Sequence, residues 1–124
     1  LNSFCMNVVF FRDYCLAKPG VEEGFPFGEQ TLVLKVMGKM FALASLTNTW
    51  FSCNLKCNPE RSLELREEYE SIIPGYHMNK KHWNTVSYEF SDLPEKLITE
   101  LIDHSYDLVV SSLTKKLKED LKNL

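Results

Sequence analysis

The residues best suited to chemistry lie between positions 74 and 86, where the sequence reads PGYHMNKKHWNTV. His77 and His82 follow Cys53 and Cys57, and the pattern C-x3-C with a later H-x4-H resembles the spacing of a zinc site. The alternation of FSCNLKC, however, places both cysteines in one strand, with Cα atoms about 13 Å apart at ~3.3 Å per residue. That separation is too long for two ligands of one zinc ion or for a disulfide. We therefore expect reduced cysteines and no metal site.

No pattern in the sequence specifies a reaction. It contains neither a G-x-S-x-G nucleophile elbow nor a glycine-rich phosphate loop. His104 stands between Asp103 and Ser105, but neighbouring residues of a helix point in different directions and cannot form a catalytic triad. We therefore predict a non-enzymatic protein with no catalytic residues and no cofactor.

The second half of the segment has the composition of a nucleic-acid contact. Lys80 and Lys81 are adjacent and precede His82 and Trp83, so cations that bind phosphates stand beside an aromatic ring on which a base can stack. The same residues also suit a solvated turn whose tryptophan only covers the end of a helix. The sequence leaves both interpretations open, and they differ in whether Trp83 is exposed.

The sheet face beside this turn is predicted to be polar. In the strand that begins at Trp83, the core phase belongs to Val86, Tyr88 and Phe90, which places Trp83 on the opposite face. Polar residues of other strands are assigned to that same face: Lys35, Asn54 and Lys56. The predicted nucleic-acid-binding residues are Lys56, Asn79, Lys80, Lys81, His82, Trp83 and Asn84.

The composition indicates one globular domain of an acidic protein. With 124 residues, 44% hydrophobic and 25% charged, the chain is long enough for one core, and we predict a single domain over 1–124 that begins with an extension, residues 1–5. A net charge of −3 argues against bulk coating of nucleic acid, so an anionic partner must meet a local patch. No apolar run approaches the ~20 residues of a membrane helix and no signal peptide is evident, so we expect no membrane contact and a cytoplasmic protein.

The first half of the predicted fold begins with a helix and ends with an alternating strand. Asn7 is suited to cap a helix that runs to residue 17, where the sequence KPG ends it. Residues 51–57 alternate as a strand with these side chains toward the core: Phe51, Cys53, Leu55 and Cys57. Residues 21–27 leave room for an extra strand.

Between these elements the sequence predicts a β-hairpin. TLVLKVM and KMFALASL meet at positions 38–39, where a leading glycine suits a two-residue type II′ turn. That register pairs Val36 with Phe41 and Leu34 with Leu43 on one face of the sheet. The other face then receives Val33, Lys35, Ala42 and Ala44.

Two further helices are predicted in the second half of the chain. Asn58 and Pro59 suit the N-cap and the first position of a helix that continues to about residue 70. Its apolar stripe comprises Leu65, Tyr69 and Ile72. Asp92 and Glu95 form a capping-box pattern at the start of a long C-terminal helix. The stripe of that helix comprises Leu97, Ile98, Leu101, Ile102, Leu108, Val109 and Leu113.

The predicted element order is α-β-β-β-α-β-α. Consecutive strands joined by short turns form mainly antiparallel sheets, and helices cover the apolar side of such a sheet. We therefore predict a two-layer α+β fold with a mainly antiparallel sheet and helices packed on one face.

Four segments together resemble a known family: RDYCLAKPGVEEGFPFGEQTLVLKV, NLKCNPERSLELRE, IIPGYHMNKKHWNTV and LIDHSYDLVVSSLTKKLK. From Met6 to about Lys118, they follow the order found in the MmcQ/YjbR-like family of small bacterial proteins. The resemblance implies a fold of the CyaY and secretion-chaperone type, a DNA-binding role through hairpins in a double-wing arrangement, and no catalytic residue set. The segment PGYHMNKKHWNTV matches the family's most distinctive motif, so these residues are carried over: Lys80, Lys81, His82, Trp83 and Asn84.

We therefore predict a non-enzymatic DNA-binding protein that uses the basic turn and the polar sheet face. One alternative is a protein-interaction module that resembles a secretion chaperone and holds a partner segment or a second copy of itself. Others are a protein with no DNA role and an enzyme without a recognised motif. Converging lysines would favour DNA, whereas an apolar groove would favour a protein partner.

Overall fold

The computed structural model describes residues 6–90, 92–94 and 96–124, which form four helices and six strands. In chain order these are α1 (Val8–Leu16), β1 (Val21–Gly24), β2 (Thr31–Val36), β3 (Lys39–Ser45), β4 (Ser52–Lys56), α2 (Pro59–Glu68), β5 (Ile72–Pro74), β6 (Trp83–Ser87), α3 (Leu97–Ser111) and α4 (Lys115–Lys122). The strands form one antiparallel sheet in the order β1-β2-β3-β4-β6-β5. The predicted α+β fold is confirmed, and the extra strand expected within 21–27 is β1. The predicted extension, residues 1–5, lies outside the described residues.

One face of the sheet packs on the helices and forms the hydrophobic core. The largest side chains that are fully buried there are Phe11, Leu34, Phe41, Leu55, Ile72, Ile98 and Ile102. The core also holds Cys15, Cys53 and Cys57 as free thiols, and burial raises the pKa of Cys15 to about 12, so that this thiol stays protonated. Among the described helices, none is long and apolar enough to cross a membrane.

Asparagine caps begin α1 and α2, as the sequence predicts. The Asn7 side chain accepts a hydrogen bond from the backbone N–H of Phe10 at 2.9 Å. The Asn58 side chain accepts from the backbone N–H groups of Glu60 and Arg61 at 2.9 and 3.2 Å. Each cap satisfies N–H groups that have no acceptor within the helix, so the starts of both helices are fixed by local sequence.

Helix α2 is shorter than predicted, because the chain turns into an additional strand. The helix ends at Glu68, and Tyr69 already has an extended backbone with φ −124° and ψ 123°. Ile72, predicted on the helix stripe, lies in β5, pairs with Val86 and is 1% exposed. Pro74 ends this edge strand, a position where a missing N–H is tolerated. Pairing with β6 and burial of the isoleucine therefore override the helical pattern.

Asp92 stabilises the start of β5 instead of capping the last long helix. Its carboxylate accepts hydrogen bonds from the Ser71 hydroxyl and, at 2.8 Å, from the backbone N–H of Glu70. These bonds, led by the one from Ser71, lower the pKa of Asp92. The N-cap of α3, Lys96, makes no side-chain capping bond. Glu95, the other half of the predicted capping box, lies outside the described residues.

The hairpin turn lies one residue earlier than predicted. Met37 and Gly38 occupy it with φ of 49° and 84°, and two positive φ values are those of a type I′ turn, so the predicted type II′ turn is wrong. Val36 accordingly pairs with Lys39, and its predicted pairing with Phe41 is also wrong. The right-handed twist of the two strands favours this turn type.

A β-bulge interrupts the hairpin next to the turn. Lys35 pairs with Met40 and Leu34 pairs with Ala42, which leaves Phe41 as the extra residue of β3. Such an insertion changes which side chains face the core along the rest of the strand.

The bulge reverses the predicted facing of β3 beyond Phe41. Ala42 and Ala44 join the core with Phe41, whereas Leu43 lies on the opposite face. The predicted pairing of Leu43 with Leu34 and the predicted outward position of the two alanines are therefore wrong. A one-residue change of register moves every following side chain to the other side of a sheet.

The strand that begins at Trp83 is confirmed as β6, but it is shorter than predicted. Val86 is 1% exposed and Tyr88 packs against the core. Phe90, predicted in the same core phase, lies beyond the strand's end at Ser87 and is 44% exposed. Alternation predicts facing only while the chain stays in the sheet.

Candidate binding groove and basic turn

The sheet face opposite the helices carries a groove of about 670 Å³. It is lined by Phe27, Thr31, Leu43, Ser45, Asn48, Ser52, Asn54, Ile73, Tyr76, His77, Met78 and Thr85. The sheet forms the floor, and the loops before β2 and after β5 form the walls. No lining residue is Asp, Glu, Lys or Arg. The groove therefore offers hydroxyl, amide and apolar groups together with the imidazole of His77.

A cross-strand polar pair lies in the floor of the groove. Asn54 of β4 stands opposite Thr85 of β6, and the threonine hydroxyl donates a hydrogen bond to the Asn54 Oδ1 at 2.7 Å. Gly75 lies against this pair, since a Cβ atom added there would stand 3.3 Å from the Asn54 Oδ1 and 3.2 Å from the Trp83 Cβ. A side chain at position 75 would crowd Trp83 and the Asn54 carboxamide, so glycine permits the chain to pass close to both.

The basic turn, residues 79–84, is closed by its own hydrogen bonds. The Asn79 carbonyl accepts from the N–H groups of His82 and Trp83 at 3.1 and 2.9 Å, and its side chain accepts from the N–H of Lys81 at 3.0 Å. The Gly75 N–H donates to the Trp83 carbonyl at 2.9 Å. Asn79 therefore shapes the turn, which is a role that asparagine commonly has.

Arg66 connects the basic turn to helix α2. Its Nε donates to the Asn84 Oδ1 at 2.7 Å, and its Nη2 donates to the carbonyls of Lys80 and Trp83 at 2.5 and 3.3 Å. Asn84 in turn donates to the Ser62 hydroxyl at 3.2 Å. Arg66 was not predicted as part of this region, because its only local signal is a basic residue in the last turn of a helix.

Two of the predicted contact residues do not present their side chains to solvent. Trp83 is 8% exposed and lies beneath the Gly75 backbone, so it cannot be the stacking platform that was predicted. Asn84 is 3% exposed and is held by Arg66 and Ser62. Both side chains are buried because the start of β6 is covered on its two faces. The loop after β5 covers Trp83, and helix α2 covers Asn84.

The other predicted residues remain on the surface around the turn. Asn79, Lys80 and Lys81 are exposed, while Lys56 and His82 are partly buried. Lys56 is the last residue of β4 and pairs with Trp83, the first residue of β6. Lys56 therefore lies next to the end of the basic turn. The structure thus brings Lys56 beside the turn, as its predicted place on the same sheet face implies.

Tyr76 is the exposed aromatic residue beside the lysines of the turn, whereas Trp83, which was predicted there, is buried. Tyr76 is 61% exposed, lines the groove and has the Lys80 ammonium 4.9 Å from its ring centroid. On another wall, Phe27 is 68% exposed. The signal for Tyr76 was present in the sequence, because it lies in the same segment and directly follows the glycine of PGY.

The lysines at the groove's edge have no neutralising partners in the described part of the chain. Lys56, Lys80 and Lys81 form no ion pair there, whereas Lys18 on the helical side bonds Asp103 at 2.5 Å. The glutamates of α2 belong to the layer that covers the other face of the sheet. Three lysines without an ion-pair partner among the described residues therefore lie next to a groove that has no carboxylate in its lining.

His104 and its sequence neighbours have separate structural contacts. His104 Nε2 accepts a hydrogen bond from the backbone N–H of Asn58 at 3.1 Å, while Asp103 bonds Lys18. The Ser105 hydroxyl bonds the main chain of β3 and β4. Across the residues that the structure describes, no three His, Cys, Asp or Glu side chains come close enough to hold a metal ion.

Known proteins resemble this chain in both sequence and fold. It is 45% identical over 101 residues to the uncharacterised protein YbdF of Escherichia coli O157:H7, which covers 82% of each chain. It is 32% identical over 119 residues to the uncharacterised protein YjbR of Escherichia coli strain K12, covering 96% of this chain and 100% of that one.

Two solved structures also resemble this chain in fold and sequence. The crystal structure of Deinococcus radiodurans protein DR2400, with a DUF419 domain, superposes with a TM-score of 0.88 at 40% identity, over 98% of this chain and 92% of that one. A crystal structure from Pseudomonas syringae gives 0.70 at 31% identity, over 83% and 98%. A family model described as YjbR matches residues 16–108, so the chain belongs to the YjbR family.

Proposed function

We propose that this protein is a non-enzymatic binding domain that holds a single strand of DNA across the groove and the basic turn. The contact between Lys80 and Tyr76 carries this proposal, because it joins a cation to an aromatic wall of the groove. Proteins that bind single strands combine a basic track for the backbone with aromatic rings on which bases stack.

The groove has a size and a chemistry that suit unpaired bases. Its volume of about 670 Å³ lies within the ~300–1,000 Å³ of pockets that bury a drug-sized ligand. Phe27 and Tyr76 offer exposed rings on different walls. Bases within a duplex are covered by their partners and by stacked neighbours, whereas unpaired bases are free to stack on protein side chains. We therefore expect single strands to bind more tightly than duplexes.

The lysines account for the phosphate contacts. Lys80 and Lys81 project from a turn that Asn79 and Arg66 hold in shape, and Lys56 lies beside it. Their number is small and the chain's net charge is −3, so the affinity should be modest and should depend strongly on salt. This arrangement suits a local site and not a protein that coats DNA along its length.

Fluorescence anisotropy with labelled single-stranded and duplex DNA over a series of salt concentrations tests the proposal. The wild-type protein should bind the single strand, with the logarithm of affinity falling linearly with the logarithm of salt concentration. Replacing Lys80 and Lys81 by alanine should reduce that slope by about 1.4, since each phosphate contact on a single strand contributes ~0.7. Tyr76→Ala should weaken binding roughly 5- to 150-fold, the range of ~1–3 kcal/mol per stacked base.

A matched double variant, Lys115→Ala with Lys118→Ala, removes the same charge from exposed positions of α4. It should leave both affinity and slope nearly unchanged. Absence of binding at ~20 mM salt, where screening is weak, would reject the proposal. An equal loss in the α4 variant would also reject it, because the effect would then follow net charge.

A segment of a partner protein is a second candidate for the same groove. Two exposed apolar side chains line it, Phe27 and Ile73, and others are exposed in the β1–β2 and β3–β4 loops: Phe25, Leu46 and Trp50. Exposed apolar residues around a neutral groove are typical of sites that bind a partner's segment. Binding of an uncharged apolar peptide, followed by NMR titration, should be insensitive to salt and to the Lys80 and Lys81 substitutions. The response to those substitutions therefore distinguishes the two ligands.

A further inference from the structure

We propose that the Asn54–Thr85 pair in the floor of the groove contacts the Watson–Crick edge of an unpaired base. This inference rests on the proposed function and specifies which part of the ligand enters the groove. It assigns to two uncharged residues a role that is separate from the phosphate contacts of the lysines.

The hydrogen bond within the pair determines what each side chain has left to offer. The Thr85 hydroxyl has one proton and donates it to the Asn54 Oδ1 at 2.7 Å, so toward a ligand this oxygen is an acceptor. The Asn54 Oδ1 is the acceptor of that bond, so the Asn54 Nδ2 remains as a donor. No residue within the described ranges accepts a hydrogen bond from that Nδ2 or donates one to the Thr85 hydroxyl.

The pair therefore presents one donor and one acceptor next to each other. The Watson–Crick edge of each base carries a neighbouring donor and acceptor, such as N3–H and O4 of thymine, and such an edge fits this arrangement with two hydrogen bonds. The groove lining has one imidazole, His77, and no Asp, Glu, Lys or Arg, so a ligand group without formal charge suits it, as a base is at neutral pH.

The surrounding backbone fixes the position of the pair. Asn54 and Thr85 stand directly opposite each other on paired strands, and the hydrogen bond between them orients both side chains. Tyr76 follows Gly75 immediately and lines the same groove. A base stacked on Tyr76 would thus have its edge near a polar pair that is already oriented before binding.

The experiment compares an oligothymidylate with the same oligomer made from N3-methylthymidine, by anisotropy at ~20 mM salt. Methylation removes the N3–H donor but keeps the phosphates and the aromatic ring. Wild-type protein should bind the methylated oligomer roughly 5- to 150-fold more weakly, the range for a bidentate base contact. Thr85→Val should bind unmodified oligomer with a similar loss, and methylation should then cause little further loss.

Two variants control for loss of the hydroxyl and for an unspecific effect of a Thr→Val change. Thr85→Ser keeps the hydroxyl and should restore most of the affinity. Thr99→Val removes a hydroxyl from α3, away from the groove, and it should change affinity less than about twofold.

Two results would overturn this inference while leaving the proposed function intact: salt-dependent binding that is indifferent to N3-methylation, or a loss in Thr99→Val as large as that in Thr85→Val. Absence of binding to every oligomer would overturn both.

Discussion

The two faces of the sheet use their polar groups in opposite ways. On the helical face, Lys18 bonds Asp103 and lies 5.1 Å from the ring centroids of Tyr14 and Tyr106, so its charge is matched within the protein. On the groove face, Lys80 contacts a tyrosine ring but no carboxylate of a described residue. The first arrangement joins α1 to α3, whereas the second leaves a cation accessible. Polar groups that are satisfied internally stabilise the fold, and those left unsatisfied are available to a ligand.

The largest expected difference between the faces concerns neighbouring residues of β3. Phe41 is fully buried on the helical face, and Phe41→Ala should lower the free energy of unfolding by about 3–5 kcal/mol. Leu43 is partly buried in the groove, so Leu43→Ala should cost less than about 2 kcal/mol. Urea denaturation followed by circular dichroism measures both. Equal losses would show that the groove lining is part of the core.

A smaller effect is expected from a matched pair of lysine substitutions. Lys18→Met should destabilise the protein by about 1 kcal/mol, because an ion pair that is partly screened by solvent and two ring contacts are lost together. Lys81→Met should change stability by less than ~0.5 kcal/mol, since no described residue pairs with it. For DNA affinity the order should be reversed. Parallel urea and anisotropy measurements would contradict the comparison if Lys18→Met weakened binding more than Lys81→Met.

The smallest effect is a pH dependence on the helical face. Burial, followed by the nearby Arg61 charge, lowers the pKa of His104 below its ordinary 6.5. The unfolded chain therefore takes up this proton first, so stability is complete above about pH 6.5 and declines as the pH falls toward the lower pKa of the folded protein.

His104→Gln keeps a side-chain acceptor for the Asn58 N–H but does not titrate. Urea midpoints should fall between about pH 7.5 and about pH 5.5 in the wild type and should fall less in the variant. An unchanged pH dependence would mean that other groups dominate in this window.

Local chemistry explains which parts of the fold the sequence predicted. The caps at Asn7 and Asn58 depend on residues two or three positions away, so they are visible in a single sequence. The strand of residues 51–57 shows its alternation directly. By contrast, the bulge at Phe41 cannot be predicted from the residues of β3 alone, because a bulge is defined by how the two strands pair.

The sequence singled out the lysine segment but did not predict its tertiary contacts, for a related reason. The segment that holds the lysines was recognised from composition, and the structure sets it beside the groove. The burial of Trp83 and the contacts of Arg66 depend on residues that are distant in sequence, which are the loop after β5 and helix α2. Only the tertiary structure shows that Trp83 is buried and that Tyr76 is the exposed aromatic residue.

The bonds of Arg66 have a consequence for how this region opens. Because one guanidinium holds the carbonyls of Lys80 and Trp83, the basic turn cannot separate from the last turn of α2 without losing these bonds. The two segments should therefore open as one cooperative unit. In hydrogen exchange, the backbone amides of His82 and Trp83 should exchange together with those of that helical turn. A ligand held by the lysines would then slow exchange in an acidic helix that it does not touch.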